Sequence, residues 1–219
     1  MKLAYLGLSL PQPTPTMIYE LTTLTTAAAM LKDVTTTLNS VAAECPAELV
    51  AAWSTEAGRV NDVLLLRRFD ENKLPSGATE FRPGVKHWLS SVLPMTQDVQ
   101  IEHFRSVPYL PEPSPGALGA LVEMRSYIYR PGMQEELLAT WKEPLIKRAQ
   151  VSPMPLVMYS INARALRFIH LYAYQDYTQR LQIRAGEVAK GTWPPPGGKA
   201  RWLNQENALL TPLAFSPLR

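Results

Sequence analysis

The chain has 219 residues, of which 46% are hydrophobic and 19% are charged. This composition provides enough apolar material for a sizeable core and too little charge for a disordered chain. The formal net charge of +3 arises from 22 Lys and Arg against 19 Asp and Glu, and the densest basic run is only Arg67–Arg68 within an apolar segment. Because nucleic-acid binding requires a concentrated basic stripe, we expect no nucleic-acid partner.

The residue types that hold metals and cofactors are sparse. Cys45 is the single cysteine, so neither an internal disulfide nor a cysteine-rich metal site can form. His87, His103 and His170 lie far apart without metal-ligand spacing, and the glycine-rich nucleotide-binding and nucleophile-elbow motifs are missing. No apolar run approaches the roughly 20 residues that cross a bilayer. We therefore expect a cytoplasmic protein with no metal, no cofactor and no membrane span.

The first 16 residues form a segment of their own. An apolar stretch at 3–10 precedes a proline-rich stretch at 11–16. This arrangement is a weak match to a secretory signal, and it lacks the small-residue cleavage site. We predict a flexible extension over residues 1–16, with folding starting at Met17.

Proline is the compositional outlier, with 20 residues against 11 glycines. The prolines cluster near residues 11–15, 108–115 and 194–196, where they prevent a helix or central strand from continuing. The middle cluster predicts a stiff linker at residues 111–118. It divides the chain into two units, residues 17–110 and residues 119–219, each large enough for a small domain.

The two units read as repeats of each other. Residues 17–30 align with residues 121–133 when Glu20 is matched to Glu123, and both segments read as a strand that runs into a helix. Residues 63–70 resemble residues 168–175, a second strand at similar spacing.

The second unit carries the clearest local signals. Residues 121–130 alternate as a strand, and Pro131–Gly132 opens a helix in which Pro144 should cause an early end or a kink. The apolar stripe of this helix comprises Met133, Leu137, Trp141 and Leu145. The elements predicted after it are strands at 156–161 and 167–174, a helix at 176–189 and a strand at 208–213.

The resulting order is β-α-β-β-α-β, present twice, which predicts an α+β protein made of two tandem ferredoxin-like repeats. Each four-stranded sheet carries its helices on one face, so the other face is bare. Two bare faces bury each other most economically, within one chain or between two chains, and a barrel results.

Short motifs in both units resemble the NIPSNAP family. The motifs are Met-Ile-Tyr-Glu-Leu at 17–21, Val-Glu-Met-Arg-Ser-Tyr-Ile-Tyr-Arg-Pro-Gly-Met at 122–133, Ile-His-Leu-Tyr-Ala-Tyr at 169–174 and Pro-Leu-Ala-Phe-Ser-Pro at 212–217. The resemblance implies a dimeric α/β-barrel domain, often in tandem, with bacterial members of largely unassigned function. The first unit departs from the pattern, since Thr22 stands where the second has Arg125. It therefore looks degenerate.

One face of the second sheet carries the candidate site. Two predicted strands would share the helix-free side that faces the barrel. The first contributes Glu123, Arg125, Tyr127 and Tyr129, and the second contributes Phe168, His170, Tyr172 and Tyr174. We predict a site for a small anionic or aromatic ligand at Glu123, Arg125, Tyr127, Tyr129 and Tyr172, with the arginine as a carboxylate clamp. The same residues also suit plain packing, since a buried Arg and Glu can neutralise each other.

His170 is the one candidate for a general base, although spacing assigns it no partner carboxylate. Two functions therefore stay open, and with them the question of whether the protein is an enzyme. One is a small-molecule-binding or assembly protein; the other is a cofactor-independent oxygenase or isomerase acting on a small aromatic or conjugated compound. For either function we expect at least a homodimer, which the mass in light scattering would test.

Overall fold

The computed structural model describes residues 17–44, 47–71, 83–161, 165–193, 195 and 202–219. The predictions made for residues 1–16, for Cys45 and for the side chain of His87 lie outside the described residues.

The predicted order of elements is confirmed in both halves. The first half comprises β1 (Met17–Thr26), α1 (Leu31–Val41), β2 (Glu48–Ala57), β3 (Asp62–Asp70), α2 (Pro83–Val92) and β4 (Thr96–Ser106). The second half comprises β5 (Leu121–Tyr129), α3 (Gln134–Ala149), β6 (Leu156–Ser160), β7 (Leu166–Tyr174), α4 (Tyr177–Ala189) and β8 (Trp202–Pro212). None of the helices in the described ranges is long and apolar enough to cross a membrane.

The eight strands form one closed antiparallel barrel in the order β1-β3-β2-β8-β5-β7-β6-β4, with β4 returning to β1. Each half contributes four neighbouring strands, and the pairs β2–β8 and β4–β6 join the halves. Closure removes the sheet edges that would otherwise be open to another chain. The helix-free faces of the two sheets therefore bury each other within a single chain.

The strand register agrees with the predicted alignment of the two halves. Glu20 lies opposite Arg67 in the β1–β3 pair, and Glu123 lies opposite Tyr172 in the β5–β7 pair. The sequence alignment matches Glu20 to Glu123 and residues 63–70 to residues 168–175. It therefore makes Arg67 and Tyr172 equivalent positions, as the two strand pairs require. The two halves thus share a register as well as an order of elements.

The core is divided into the barrel interior and two layers between sheet and helices. The interior is apolar at one end and includes Tyr19, Trp53, Leu64, Phe104, Val122 and Ile169. Outside the barrel, the layer of the first half surrounds Trp88, and the layer of the second half surrounds Trp141.

Two predicted boundaries differ from the structure. Helix α3 continues through Pro144 to Ala149, although Pro144 has no backbone N–H to donate. The buried side chains of Trp141 and Leu145, on either side of Pro144, hold the helix against the sheet. Strand β8 begins at Trp202 instead of residue 208. Residues 203–207 are mostly polar and exposed, so their hydrophobic pattern does not reveal the strand, although they pair with β5 along its length.

The proline-rich segment lies at one end of the barrel. The Glu112 carboxylate there accepts hydrogen bonds from the hydroxyls of Tyr19 and Ser106. The C-terminal tail joins it, since the backbone N–H of Leu118 bonds to the carbonyl of Arg219. Leu218 is buried in the interior core. The segment and the tail together cover this end of the barrel.

Candidate functional site

The structure reverses the predicted orientation of β5. Val122 and Met124 pack in the barrel interior, whereas Tyr127 and Tyr129 pack in the helix layer around Trp141. The expectation that the aromatic face lines the barrel is therefore wrong. The rings instead find aromatic partners on the side that α3 covers, since Tyr127 packs against Trp141 and Tyr129 packs against Phe168.

The same reversal applies to β7. His170 and Tyr172 lie on the helix side, and Arg167 and Ile169 face the barrel. All the predicted site residues thus do share one face, but the face lies against α3 and α4. Their assignment as ligand-binding residues stays a prediction.

His170 lies at the centre of an aromatic cluster formed by Tyr127, Trp141, Phe168, Tyr172 and Trp193. Its ring centroid is 4.5 Å from that of Phe168 and 4.8 Å from that of Trp141. Nδ1 lies 3.0 Å from the Tyr172 hydroxyl, and Nε2 has no hydrogen-bond partner among the described residues. Burial, and secondarily Arg125, hold the pKa of His170 well below its usual range, so the imidazole is neutral at pH 7.

The tyrosines of this cluster are neutral and serve as packing groups with polar ends. Burial raises the pKa of Tyr127 to about 12, against the opposing charge of Arg125, and raises that of Tyr172 well above its usual range. The Tyr129 hydroxyl accepts a hydrogen bond of 2.9 Å from Trp141 Nε1. These contacts are sufficient to explain the tyrosine rings as part of the packed core between the sheet and its helices.

Glu123 is paired with arginines of α4. Its carboxylate accepts hydrogen bonds from Arg180 Nε at 3.0 Å and Nη2 at 2.8 Å, and from Arg184 Nη1 at 3.3 Å. Arg125, two residues along β5, is half-buried, and its Nε has no partner among the described residues. The arginine predicted as a clamp is thus not the one that neutralises Glu123.

The open end of the barrel contains a cavity of about 870 Å³. It lies opposite the end covered by the proline-rich segment. Seven of the eight strands contribute to its walls, with side chains that include Thr23, Thr55, Gln100, Met124, Ser126 and Ala208. Its volume falls in the range of small-molecule sites.

An ion pair crosses the cavity wall from one half to the other. Arg167 of β7 pairs through Nη1 with the Glu102 carboxylate of β4, and Arg167 Nε donates to Ser126 Oγ at 2.7 Å. The interaction joins three strands and links the two repeats.

A second charged pair lies on the wall of the first half. Arg59 Nη2 donates to Thr25 Oγ1 at 2.8 Å, and that hydroxyl donates to Asp62 Oδ1 at 2.7 Å. Arg59 Nε lies 3.4 Å from Asp62 Oδ2. Glu206, which also lines the cavity, has no ion-pair partner among the described residues. The cavity therefore carries three carboxylates against two guanidinium groups, both already engaged.

Sequence reasoning missed Ser126 and Arg167 because it placed their strand faces against the helices, and it assigned no face to the strand of Glu102. The available signal was Arg167 itself, a charged residue on a strand face that otherwise carries Ile169, Leu171 and Ala173. Within the described ranges, no group of three His, Cys, Asp or Glu side chains could hold a metal ion.

The closed barrel with its helices outside has the architecture of the dimeric-α/β-barrel type, with one chain supplying both halves. Residues 122–217 match the family model described as NIPSNAP. The second half is therefore similar to the NIPSNAP family, which confirms the resemblance of its motifs. No curated protein matches the chain.

Two solved structures match the fold along most of the chain, and a third matches part of it. A candidate monooxygenase from Lactobacillus acidophilus is 12% identical with a TM-score of 0.62, and the match covers 90% of this chain and 94% of that one. A candidate monooxygenase from Fusobacterium nucleatum is 10% identical with a TM-score of 0.63, covering 91% and 93%. A NIPSNAP domain protein from Burkholderia xenovorans is 26% identical with a TM-score of 0.41, covering 44% and 98%. The first two similarities concern the fold alone.

Proposed function

We propose that the protein binds a small organic molecule in the open end of its barrel. The cavity of about 870 Å³ is the observation that carries the proposal, because side chains of both repeats converge on it. Its walls combine aliphatic groups with hydroxyl, amide and charged groups, the composition that fixes the orientation of a small ligand.

Filling the cavity is expected to remove binding. Ala208 lies on the inward face of β8 opposite Met124, so Ala208→Trp places an indole in the cavity without removing a charge. Compounds that raise the melting temperature of the wild-type chain in a thermal-shift screen should bind this variant at least tenfold more weakly, as measured by calorimetry.

The matched control is Leu203→Trp, which adds the same ring at an exposed position of the same strand outside the cavity lining. It should retain the affinity of the wild-type chain. Equal affinity of a compound for the Ala208→Trp and wild-type chains would place its binding outside the barrel and contradict the proposal.

The second candidate function is a cofactor-independent oxygenase or isomerase acting on an aromatic or conjugated compound. The Nε2 atom of His170 favours this function, because it has no hydrogen-bond partner among the described residues and can accept a proton. The predicted residues Glu123, Arg125, Tyr127, Tyr129 and Tyr172 would then surround the substrate. His170 is completely buried, so this function requires Trp193, which packs against the cluster, to move and admit the substrate.

Oxygen uptake tests this second function. Oxidation of a ring methylene to a carbonyl by O₂, with the second oxygen atom leaving as water, balances without an added reductant. If His170 accepts the first proton, His170→Gln should lower the rate of uptake about 100-fold or more, whereas His103→Gln should not. An oxygen electrode recording no uptake with any compound that binds would exclude the oxygenase.

The expected homodimer remains a prediction, but the surface through which two copies would associate differs from the one expected from the sequence. The bare sheet faces on which it was based are buried within one chain. A second copy would use an outer surface, such as the side of α4 that exposes Tyr177, Leu181 and Val188.

A further inference from the structure

Glu102 lies on the inward face of β4, at the base of the open cavity. It lies opposite Leu21 of β1, and Phe104 is the next inward residue along β4. Leu21 and Phe104 belong to the apolar core, whereas Glu102 lines the cavity above it. Only 9% of Glu102 is exposed. Because the side chain points into the barrel, this remaining surface faces the cavity.

One oxygen of the Glu102 carboxylate is unused. Arg167 donates to Oε2, whereas Oε1 accepts no hydrogen bond from any described residue. Oε1 retains accessible surface, unlike polar atoms that are sealed in without a partner, such as His170 Nε2. Polar groups of buried side chains usually have a hydrogen-bond partner, and an ionised carboxylate can only accept one. Oε1 therefore offers an acceptor to whatever occupies the cavity.

The charges around this oxygen favour a neutral donor. Arg167 already balances the charge of Glu102, and its Nε is held 2.7 Å from Ser126 Oγ. An ammonium group at Oε1 would therefore lie close to a guanidinium of like charge. Neither guanidinium of the described wall is free for an anionic ligand, since Arg59 pairs with Asp62. A hydroxyl group meets neither obstacle.

Apolar side chains surround the base of the cavity. Leu64 of β3, Met124 of β5 and Ala208 of β8 line it and pack with the core beneath. We propose that the barrel takes a ligand with an apolar body and a neutral hydroxyl group, and that this hydroxyl donates to Glu102 Oε1. The inference rests on the proposed function and names the ligand class of the same site.

Three probes with one bicyclic body test the inference. Of 2-naphthol, 2-methoxynaphthalene and naphthalene, only the first can donate a hydrogen bond. Calorimetry on the full chain gives their dissociation constants. We expect the wild-type chain to bind 2-naphthol about tenfold more tightly than the ether, which keeps the oxygen and loses the donor. Naphthalene, which lacks the added methyl group, should bind as weakly as the ether, which excludes a steric cause.

Glu102→Gln is expected to remove this preference. A guanidinium only donates, so the amide oxygen of the glutamine should turn to Arg167 and leave its NH₂ group facing the cavity. The variant thus places a donor where the wild-type chain has an acceptor. The preference for 2-naphthol over the ether should fall about tenfold in the same calorimetric measurement.

Two other carboxylates of the cavity supply matched controls. Asp62 also pairs with an arginine, but both its oxygens are engaged, since Oδ1 accepts from Thr25 and Oδ2 lies 3.4 Å from Arg59 Nε. Glu206 is exposed, so water solvates its carboxylate. Asp62→Asn and Glu206→Gln each remove the same charge as Glu102→Gln, and both should retain the preference for 2-naphthol.

A second measurement uses the wild-type chain and does not depend on the folding of a variant. A crystal structure of the wild-type chain with 2-naphthol should place the hydroxyl oxygen within about 3 Å of Glu102 Oε1. The naphthalene rings should lie against Leu64, Met124 and Ala208.

The failures are distinguishable. Equal affinities of the wild-type chain for the three probes, as expected if water satisfies Oε1, overturn the inference and leave the proposed function intact. A preference that survives Glu102→Gln, one that is lost equally in Glu206→Gln, or a hydroxyl bound away from Glu102 also overturns it. If none of the probes binds, the inference falls, whereas the proposed function still depends on the compounds of the thermal-shift screen and on Ala208→Trp.

Discussion

Gly119→Ala is expected to lower the free energy of unfolding by more than about 3 kcal/mol. Gly119 precedes β5 with a φ of +138°, a conformation that L side chains rarely adopt. A Cβ atom there would lie 2.2 Å from the backbone oxygen of Tyr174, at the end of β7. Neither backbone can give way without breaking the pairing of β5 with β7. Urea unfolding monitored by tryptophan fluorescence measures the loss.

Two other glycines separate the causes of this effect. Gly132 also has a positive φ, +83°, but a Cβ atom there would meet nothing within 4 Å. Gly132→Ala should therefore cost only about 1–2 kcal/mol from backbone strain. A Cβ atom at Gly116 would likewise meet nothing within 4 Å, and its alanine variant should resemble the wild-type chain. Equal losses at positions 119 and 132 would contradict the close approach of residue 119 to β7.

Glu123→Gln is expected to lower the free energy of unfolding by about 3 kcal/mol. The variant keeps the shape of the side chain and removes the charge that Arg180 and Arg184 share. Since Glu123 is 1% exposed and Arg180 is also buried, Arg180 would keep its charge in a poorly solvated position. The midpoint of urea unfolding should fall with an unchanged slope.

Glu143→Gln is the control for this variant. Glu143 forms an ion pair of 2.6 Å with Lys147 one turn along α3, and both side chains are largely exposed. Exposed pairs of this kind contribute little to stability, so no measurable change in the midpoint is expected. A midpoint for Glu123→Gln indistinguishable from that of Glu143→Gln would mean that the buried network does not stabilise the fold.

The fold was predictable because its signals are local. The alternation in residues 121–129 and the i, i+4 stripe of α3 indicate their elements directly, and the repeat extends the pattern to the first half. The direction in which a strand faces was not predictable by the same means. Eight of the nine residues of β7 are buried, so alternation separates its two faces without indicating which one lies inside the barrel.

The candidate site was less predictable because it depends on closure of the barrel. Glu102 and Arg167 are distant in sequence, and the barrel interior brings them together only because β4 pairs with β6. No local pattern contains that pairing.

Joining both halves in one chain frees the barrel from two-fold symmetry. In a dimer of identical chains, each inward contact would recur on the other side of the axis. Here the register makes Asp62 the counterpart of Arg167, and Ala208 the counterpart of Glu102. The ion pair between Arg167 and Glu102 therefore has no equivalent on the other side of the barrel. A molecule in this cavity meets two chemically different walls. It can therefore be held in a single orientation, with one copy per chain, which a barrel of two identical subunits cannot impose.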